Sequence, residues 1–269
     1  MSHVQPLPPR PDVAPSAVFW ALLRRDVRVA RRELPFFLVR TVMQPVLFIV
    51  VFGFLLPKMG FVENGYTAAL LPGILAVSLA LSSVQSVALP MVQDFGFTKE
   101  IEDRLLAPVP IRLIAIEKVV AGALQGVIAA LAVLPAARLI MGPIPGLSLA
   151  HGGEAIVVTL LGSTLFASLG LVIGTAISAQ QIGLMFSIII APMLMFGCAY
   201  YPWRGLDPLP AFKYGVLVNP LVYVAEAMRG TLTPELPHMP LVAAGGAMLV
   251  MTVVFVAVGV RSFERRAMG

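Results

Sequence analysis

Six stretches of this chain, residues 36–56, 68–92, 113–140, 155–177, 182–201 and 240–260, stay apolar for twenty residues or more. Together they hold only four charged side chains, Arg40, Glu117, Lys118 and Arg138, each near an end. At about 1.5 Å of rise per residue, a helix of that length crosses a hydrocarbon core of about 30 Å. Lipid offers no partner to backbone polar groups, so runs of this length are expected to be helices that satisfy their own hydrogen bonds. The pattern predicts an all-α integral membrane protein with six transmembrane helices over residues 36–260. The composition agrees: at 12% charged residues the chain has about half the charge needed to cover a soluble globule. A charge-free mid-membrane argues against a proton relay or a voltage sensor. No basic soluble domain remains outside the apolar runs, so nucleic acid is not an expected partner.

Lys and Arg accumulate on the cytoplasmic side of membrane proteins. With the N-terminus inside, fourteen of the nineteen basic residues are cytoplasmic, and Lys58, Arg138, Arg204, Lys213 and Arg229 lie outside. Both termini are therefore expected in the cytoplasm, with residues 261–269 a short cytoplasmic tail. The first apolar run begins too late and runs too long for a signal-peptide core, so no cleavage is expected. The single cysteine, Cys198, permits no disulfide framework, and His3, His151 and His238 are far apart in sequence. No metal site is expected.

Residues 1–15 are proline-rich and read as a disordered cytoplasmic tail. Ser16 then reads as the cap of a helix ended by Pro35, giving an N-terminal amphipathic helix at 16–35. At about 100° per residue, Arg24, Arg25, Arg28, Arg31 and Arg32 share one arc, with Phe19, Trp20, Leu22, Leu23 and Val27 opposite. That is the pattern of a helix lying in the membrane interface. Asp26 and Glu33 interrupt its apolar face and suit a salt-bridged contact with another protein segment. The plainer alternative is a solvated basic helix that only enforces topology.

Two loops carry more chemistry. In the first cytoplasmic loop, Thr98 can cap a short helix over 98–107 that Pro108 stops. Glu100, Glu102 and Asp103 sit in its first half, where the helix dipole favours anions. Ile101 and Leu105, four apart, share a face beside Leu106 and Arg104, which is the form of a docking element; a plain connecting turn would not need them held in water. The external segment 202–239 is punctuated by prolines into two short apolar helices, 211–218 and 221–232, too short to span. They are expected to dip back into the outer leaflet as a re-entrant hairpin turning at Asn219-Pro220. Glu226 and Arg229, three apart on the second helix, can pair.

The run Glu100-x-Glu102-x-Arg104-Leu105-Leu106-Ala107-Pro108-Val109 resembles the coupling-helix segment of ABC transporter type-2 permeases. The residues from Gly197 to Pro202, with Leu209-Pro210, Asn219-Pro220, Tyr223, Glu226 and Arg229, resemble their signature around the fifth span and its external helices. The resemblance implies an export permease worked by a separate ATPase, in an assembly of two permease copies and two ABC-type ATPase subunits in a bacterial inner membrane. ATP and Mg would be held by the ATPase, with no cofactor bound by this chain. The chain's lack of a Gly-Lys dipeptide, hence of a phosphate-binding P-loop, agrees independently. By similarity, Glu100, Ile101, Glu102, Arg104, Leu105 and Leu106 would rest on the ATPase, with the loop 178–181 a second contact.

In that family the second and fifth spans face the dimer axis. The candidates for a translocation path are then Ser82, Ser83, Gln85 and Ser86 on the second span, and Met193, Phe196, Tyr200 and Tyr201 after a kink at Pro192 on the fifth. Methionines and aromatics offer an adaptable surface to a lipophilic or amphipathic substrate. The plainer reading is that the serines and Gln85 only hydrogen-bond helices together. Gly122-x-x-x-Gly126 and Gly170-x-x-x-Gly174 read as packing faces within the subunit. A non-transporting scaffold for an ATPase, or an intramembrane enzyme, is the rival class, although no Gly-x-Ser-x-Gly or His-Glu-x-x-His is present. An ion channel would need a charged ring or a filter loop.

Overall fold

The computed structural model describes residues 15–61, 66–98, 110–143, 146–148 and 150–268, and among these the regular structure is all helix, with no strand. Helix α1, Pro15–Phe48, continues through a π-helical segment, Ile49–Leu55, to Lys58. Then come α2, Tyr66–Gln93, extended by a second π-segment, Asp94–Thr98; α3, Ile111–Met141; α4, Gly152–Ala176; and α5, Ile182–Met195. The hairpin helices are α6, Pro210–Gly215, with a 3-10 turn, Val216–Val218, and α7, Pro220–Leu232; α8, Leu241–Met268, closes the chain.

Five helical stretches are long and apolar enough to cross a membrane: Thr41–Lys58, Tyr66–Gly96, Ile111–Met141, Gly152–Ala176 and Leu241–Ala267. The remaining expected span, the fifth in chain order, differs. Residues 182–201 form an unbroken apolar run, yet helix covers only Ile182–Met195, fourteen residues or about 21 Å. The chain breaks away at Gly197, and Cys198 takes a left-handed φ of 52° that a continuing helix does not allow. Within α5, a π-segment at Phe186–Ile190 stands immediately before Pro192. Proline donates no N–H and crowds the preceding turn, so a widened turn there relieves the ladder.

The N-terminal helix also departs from expectation. Pro35 does not end it; α1 runs through both Pro35 and Pro45. A proline inside a helix removes one hydrogen bond, a loss that helices entering a membrane tolerate. On the arm, Leu23 is buried while Trp20, Arg24, Arg25, Arg28 and Arg32 are exposed. The expectations for the side chains of Asp26, Arg31 and Glu33 fall outside the described residues.

Helix α2 is the centre of the molecule. In its most apolar stretch 89% of residues are buried, against 17% in α1 and α8. A helix apolar all round is suited to that place, since it has no face to offer water. Glycines let its neighbours close on it. A Cβ on Gly122 would meet Val87 at 2.3 Å, and one on Gly174 would meet Met91 at 2.8 Å, so α3 and α4 both lay their small-residue faces on α2 within the subunit. At the end of the bundle where α2, α4 and α8 begin, the segment from Gly197 to Met239 folds over the core. At the opposite end lie Phe95, the last turn of α4 and Arg266.

Candidate substrate path and hairpin

The hairpin is held by a buried charged clamp. Pro220 occupies the first turn of α7, where its missing N–H costs nothing, and Asn219 caps the helix through its Oδ1, which accepts from Leu221 N at 2.9 Å. The other side of the same amide, Nδ2, donates to Met193 O at 2.7 Å and so ties the hairpin turn to the end of α5. Two turns along α7, Glu226 and Arg229 form an ion pair whose side chains have no exposed surface. Glu226 Oε1 also accepts from Trp203 N at 2.9 Å, and Oε2 accepts from Met239 N at 2.8 Å. Arg229 donates to Cys198 O at 3.1 Å and, over 3.4 Å, to Ala69 O on α2. A buried charge left with open lone pairs or protons costs several kcal/mol, and here the spare positions are taken by backbone. One helix thereby gathers backbone from α2, from the stretch 198–203 and from Met239.

Close packing adds to the clamp. A Cβ on Gly73 would lie 1.7 Å from Ala199 O, so the segment after α5 rests directly on the backbone of α2. Trp203 donates its indole N–H to Lys213 O at 3.0 Å, and the Lys213 ammonium lies 4.2 Å from the Trp203 ring centre. Lys213 also pairs with Asp207, an exposed bridge that adds little to stability.

The path candidates divide. Ser82 and Ser83 do not face outward: both are buried, and Ser82 donates to Gln125 O on α3 at 3.2 Å. Ser86 donates to Ser83 O of its own helix at 3.1 Å, and Ser86 and Gln85 are half-buried. Within the chain α2 is enclosed, and Ser82 and Ser83 are buried in its packing. The α5 group is different. Phe196 is exposed beside Met195, while Met193 is buried under the hairpin. Tyr200 stacks on Phe48 and Phe52 of the first membrane helix, with ring centres 5.0 and 5.9 Å away, and Tyr66 donates to Tyr200 O at 3.2 Å. Tyr201 is half-buried and donates to Met195 O at 3.3 Å. An apolar cavity of about 390 Å³ opens between α5 and the hairpin, with Ile189, Met193, Phe196, Phe212 and Val216 on its walls.

At the other end of the bundle, the segment expected to dock, with Glu100, Ile101, Glu102, Arg104, Leu105 and Leu106, lies outside the described residues; Thr98 is the last residue of the π-segment that leads into it. Beside that segment is a cluster that the sequence did not announce. Arg266 Nη1 donates to Gly174 O, Thr175 O and Ile177 O at 3.2, 2.8 and 3.1 Å, closing the C-terminus of α4. Its guanidinium carbon lies 4.7 Å from the Phe95 ring centre, and Phe95 packs edge-on against Phe263. The bonded atoms of α4 are backbone carbonyls, which no residue type marks. In the sequence Arg266 is only one of several terminal basic residues.

This all-helical bundle, with a broken fifth helix and a hairpin locked by a charged pair, belongs to the ABC-2 type transporter family, which matches residues 17–233. The chain is the membrane subunit of an ABC transporter. Proteins of this family have no ATPase domain of their own, and the ATPase is a separate subunit. The chain is 29% identical over 229 residues to the inner membrane transport permease YadH of Escherichia coli K12, covering 81% of this chain and 84% of that protein. It has the same identity and coverage with the YadH permease of Shigella flexneri.

Proposed function

We propose that the chain is the permease half of an ABC exporter in a bacterial inner membrane, with six spans and both termini in the cytoplasm. It moves a lipophilic or amphipathic substrate, such as a drug, lipid or lipid-linked glycan, outward on ATP hydrolysed with Mg by a separate ATPase. Two permease copies and two ATPases make the working assembly. The loop at 98–107, through Glu100, Ile101, Glu102, Arg104, Leu105 and Leu106, transmits the ATPase stroke, and the arginine-bearing arm lies in the interface beside it.

The observation that carries this reading is the state of α5. It is short, interrupted by a π-segment and Pro192, and presents Leu184, Ile188, Ile189, Met195 and Phe196 uncovered. A helix with an open apolar face and an imperfect hydrogen-bond ladder suits a moving wall between two copies. Its outer end is roofed by a hairpin anchored to the rigid centre, which suits a closure on the external side. Phe196, Tyr200 and Tyr201 stand where the two meet. The name of the E. coli relative, an inner membrane transport permease, supports both the location and the activity.

The reading is tested by co-purifying the chain with an ABC-type ATPase from the same cell and measuring ATP-dependent substrate movement in proteoliposomes. Glu102→Lys should preserve membrane insertion and separate ATP hydrolysis from transport. Full transport with Glu102→Lys would remove that loop from the coupling route, and ATPase binding without transport of any lipophilic probe would favour a scaffold.

A further inference from the structure

We infer that the turn of α8 from Phe263 to Arg266 is a brace that makes one rigid unit of the adjoining ends of α2, α3 and α4. Arg266 is its positioning residue, through which a displacement of α2 and α3 reaches the start of α5. That displacement is the ATPase stroke, so the transmitting role rests on the coupling function proposed above.

One turn of helix touches three others. Arg266 Nη1 donates to Gly174 O, Thr175 O and Ile177 O at the end of α4, at 3.2, 2.8 and 3.1 Å. The same guanidinium stands 4.7 Å from the centre of the Phe95 ring, in the π-segment that closes α2, and Phe263 meets that ring edge-on at 5.7 Å. Glu264 accepts from Arg112 Nε, in the first turn of α3, at 2.6 Å. This last bridge is exposed on its arginine side and marks proximity more than stability. Beneath the turn lies an apolar cluster distinct from the larger core: Val87 and Met91 of α2, Ile114 and Val119 of α3, Leu171 of α4, and Phe263. Among the described residues, α1 and α5 contribute nothing to it.

The arrangement is more than a helix cap. Helix α4 ends without a left-handed glycine: Ile177 is extended, with φ −104° and ψ 140°. A basic residue in the last turn of α4 could have bonded its own carbonyls, and none is there. The donor comes instead from α8, which also grips α2 and α3. The end of α4 therefore keeps its bonds only while all four helices keep their places. A planar guanidinium can lie on an aromatic ring and still donate to carbonyls, which an ammonium does less well.

Ile177 is also the last residue so held before α5. Ser178 O accepts from Gln181 N at 3.0 Å, and Gln181 Oε1 accepts from Ser178 N at 3.3 Å. This compact turn leads directly into α5 at Ile182, so a shift of the held carbonyl passes to the base of α5 with little slack.

The test uses the full chain in lipid nanodiscs with an ABC-type ATPase from the same cell, and nitroxide pairs read by paramagnetic resonance. Native Cys198 is buried and stays unlabelled. Ile116→Cys with Ala176→Cys, both exposed positions, reports α3 against the end of α4. Ile116→Cys with Gly183→Cys reports the base of α5, at a glycine where a Cβ has no neighbour within 4 Å. Without Arg266 substitution, the first distance should be narrow and unchanged when the ATPase is trapped with ATP and vanadate, while the second shifts. Arg266→Ala should broaden the first distribution about twofold and abolish the shift of the second, with ATPase binding retained; Arg266→Lys, which can still donate to the carbonyls, should restore part of both. Leu165→Val, which loosens the buried middle of α4 away from the brace, should lower the Tm and leave both distances as they were. If Arg266→Ala changes neither pair, or if Leu165→Val broadens the first as much, there is no brace, and the proposed function stands on the shift that trapping produces. If trapping of the bound ATPase shifts the second pair in no variant, the stroke does not reach this bundle; the coupling function is then wrong and the transmitting role falls with it.

Discussion

Glu226 and Arg229, one turn apart on α7, form an ion pair sealed from solvent, and between them they bond the backbone of Ala69, Cys198, Trp203 and Met239. The pair is therefore the joint through which the hairpin segment is attached to the central helix. Removing one charge leaves the other buried without a partner.

Glu226→Gln keeps the shape of the side chain but strips Arg229 of its counter-charge. It should destabilise the protein by about 3–5 kcal/mol. Replacing both residues, as in Glu226→Leu with Arg229→Met, should recover a large part of that loss. Thermal unfolding of the detergent-solubilised protein checks both, and a double variant no more stable than Glu226→Gln would show that the backbone bonds, not the charges, dominate.

Gly73→Ala should cost about 1–3 kcal/mol, because the new Cβ would stand 1.7 Å from Ala199 O, a backbone atom with little room to yield. Gly245→Ala on α8, where nothing lies within 4 Å, should be neutral or stabilising by up to about 1 kcal/mol. The contrast is read in the same unfolding experiment.

Arg266→Ala should free the last carbonyls of α4, at a cost of about 1–3 kcal/mol. Hydrogen exchange should rise selectively in the segment that follows, around Ser178 to Gln181, while the buried centre of α2 stays protected. Unchanged exchange there would mean that the guanidinium does not hold this end of α4.

Ser82→Ala removes one bond to Gln125 O and should cost on the order of 1 kcal/mol or less. It should leave the range of transported substrates unchanged, as competition assays would record. A shifted substrate profile would return this buried residue to the translocation path.

Topology is open to cysteine labelling, because the native Cys198 is buried. A cysteine at exposed Glu235 should react with an impermeant thiol reagent from outside intact cells, and one at exposed Arg261 only after the membrane is opened. The reverse pattern would invert the orientation.

Much of the bundle is legible in residue types alone. Long charge-free runs leave helices as the one way to satisfy the backbone in lipid, so residues 68–92, 113–140 and 155–177 reappear nearly end for end as α2, α3 and α4. The hairpin turn is legible for a local reason: Asn219 followed by Pro220 both caps and starts a helix. Proline is a poorer guide inside the apolar runs, where α1 continues past Pro35 and α5 carries Pro192 behind a π-segment.

The sequence by itself determined that the chain lives in a membrane, where most of its helices begin and end, and that Glu226 and Arg229 share a helix face. Tertiary structure alone decided that α2 is the enclosed centre, with Ser82 and Ser83 buried in it. It also decided that Glu226 and Arg229 bind the backbone of Ala69, Cys198, Trp203 and Met239, and that Arg266 closes α4. The reason is physical: hydropathy and caps act between near neighbours and are written in residue types. The partners of these side chains are carbonyls and N–H groups, which every residue carries and only folding brings within reach.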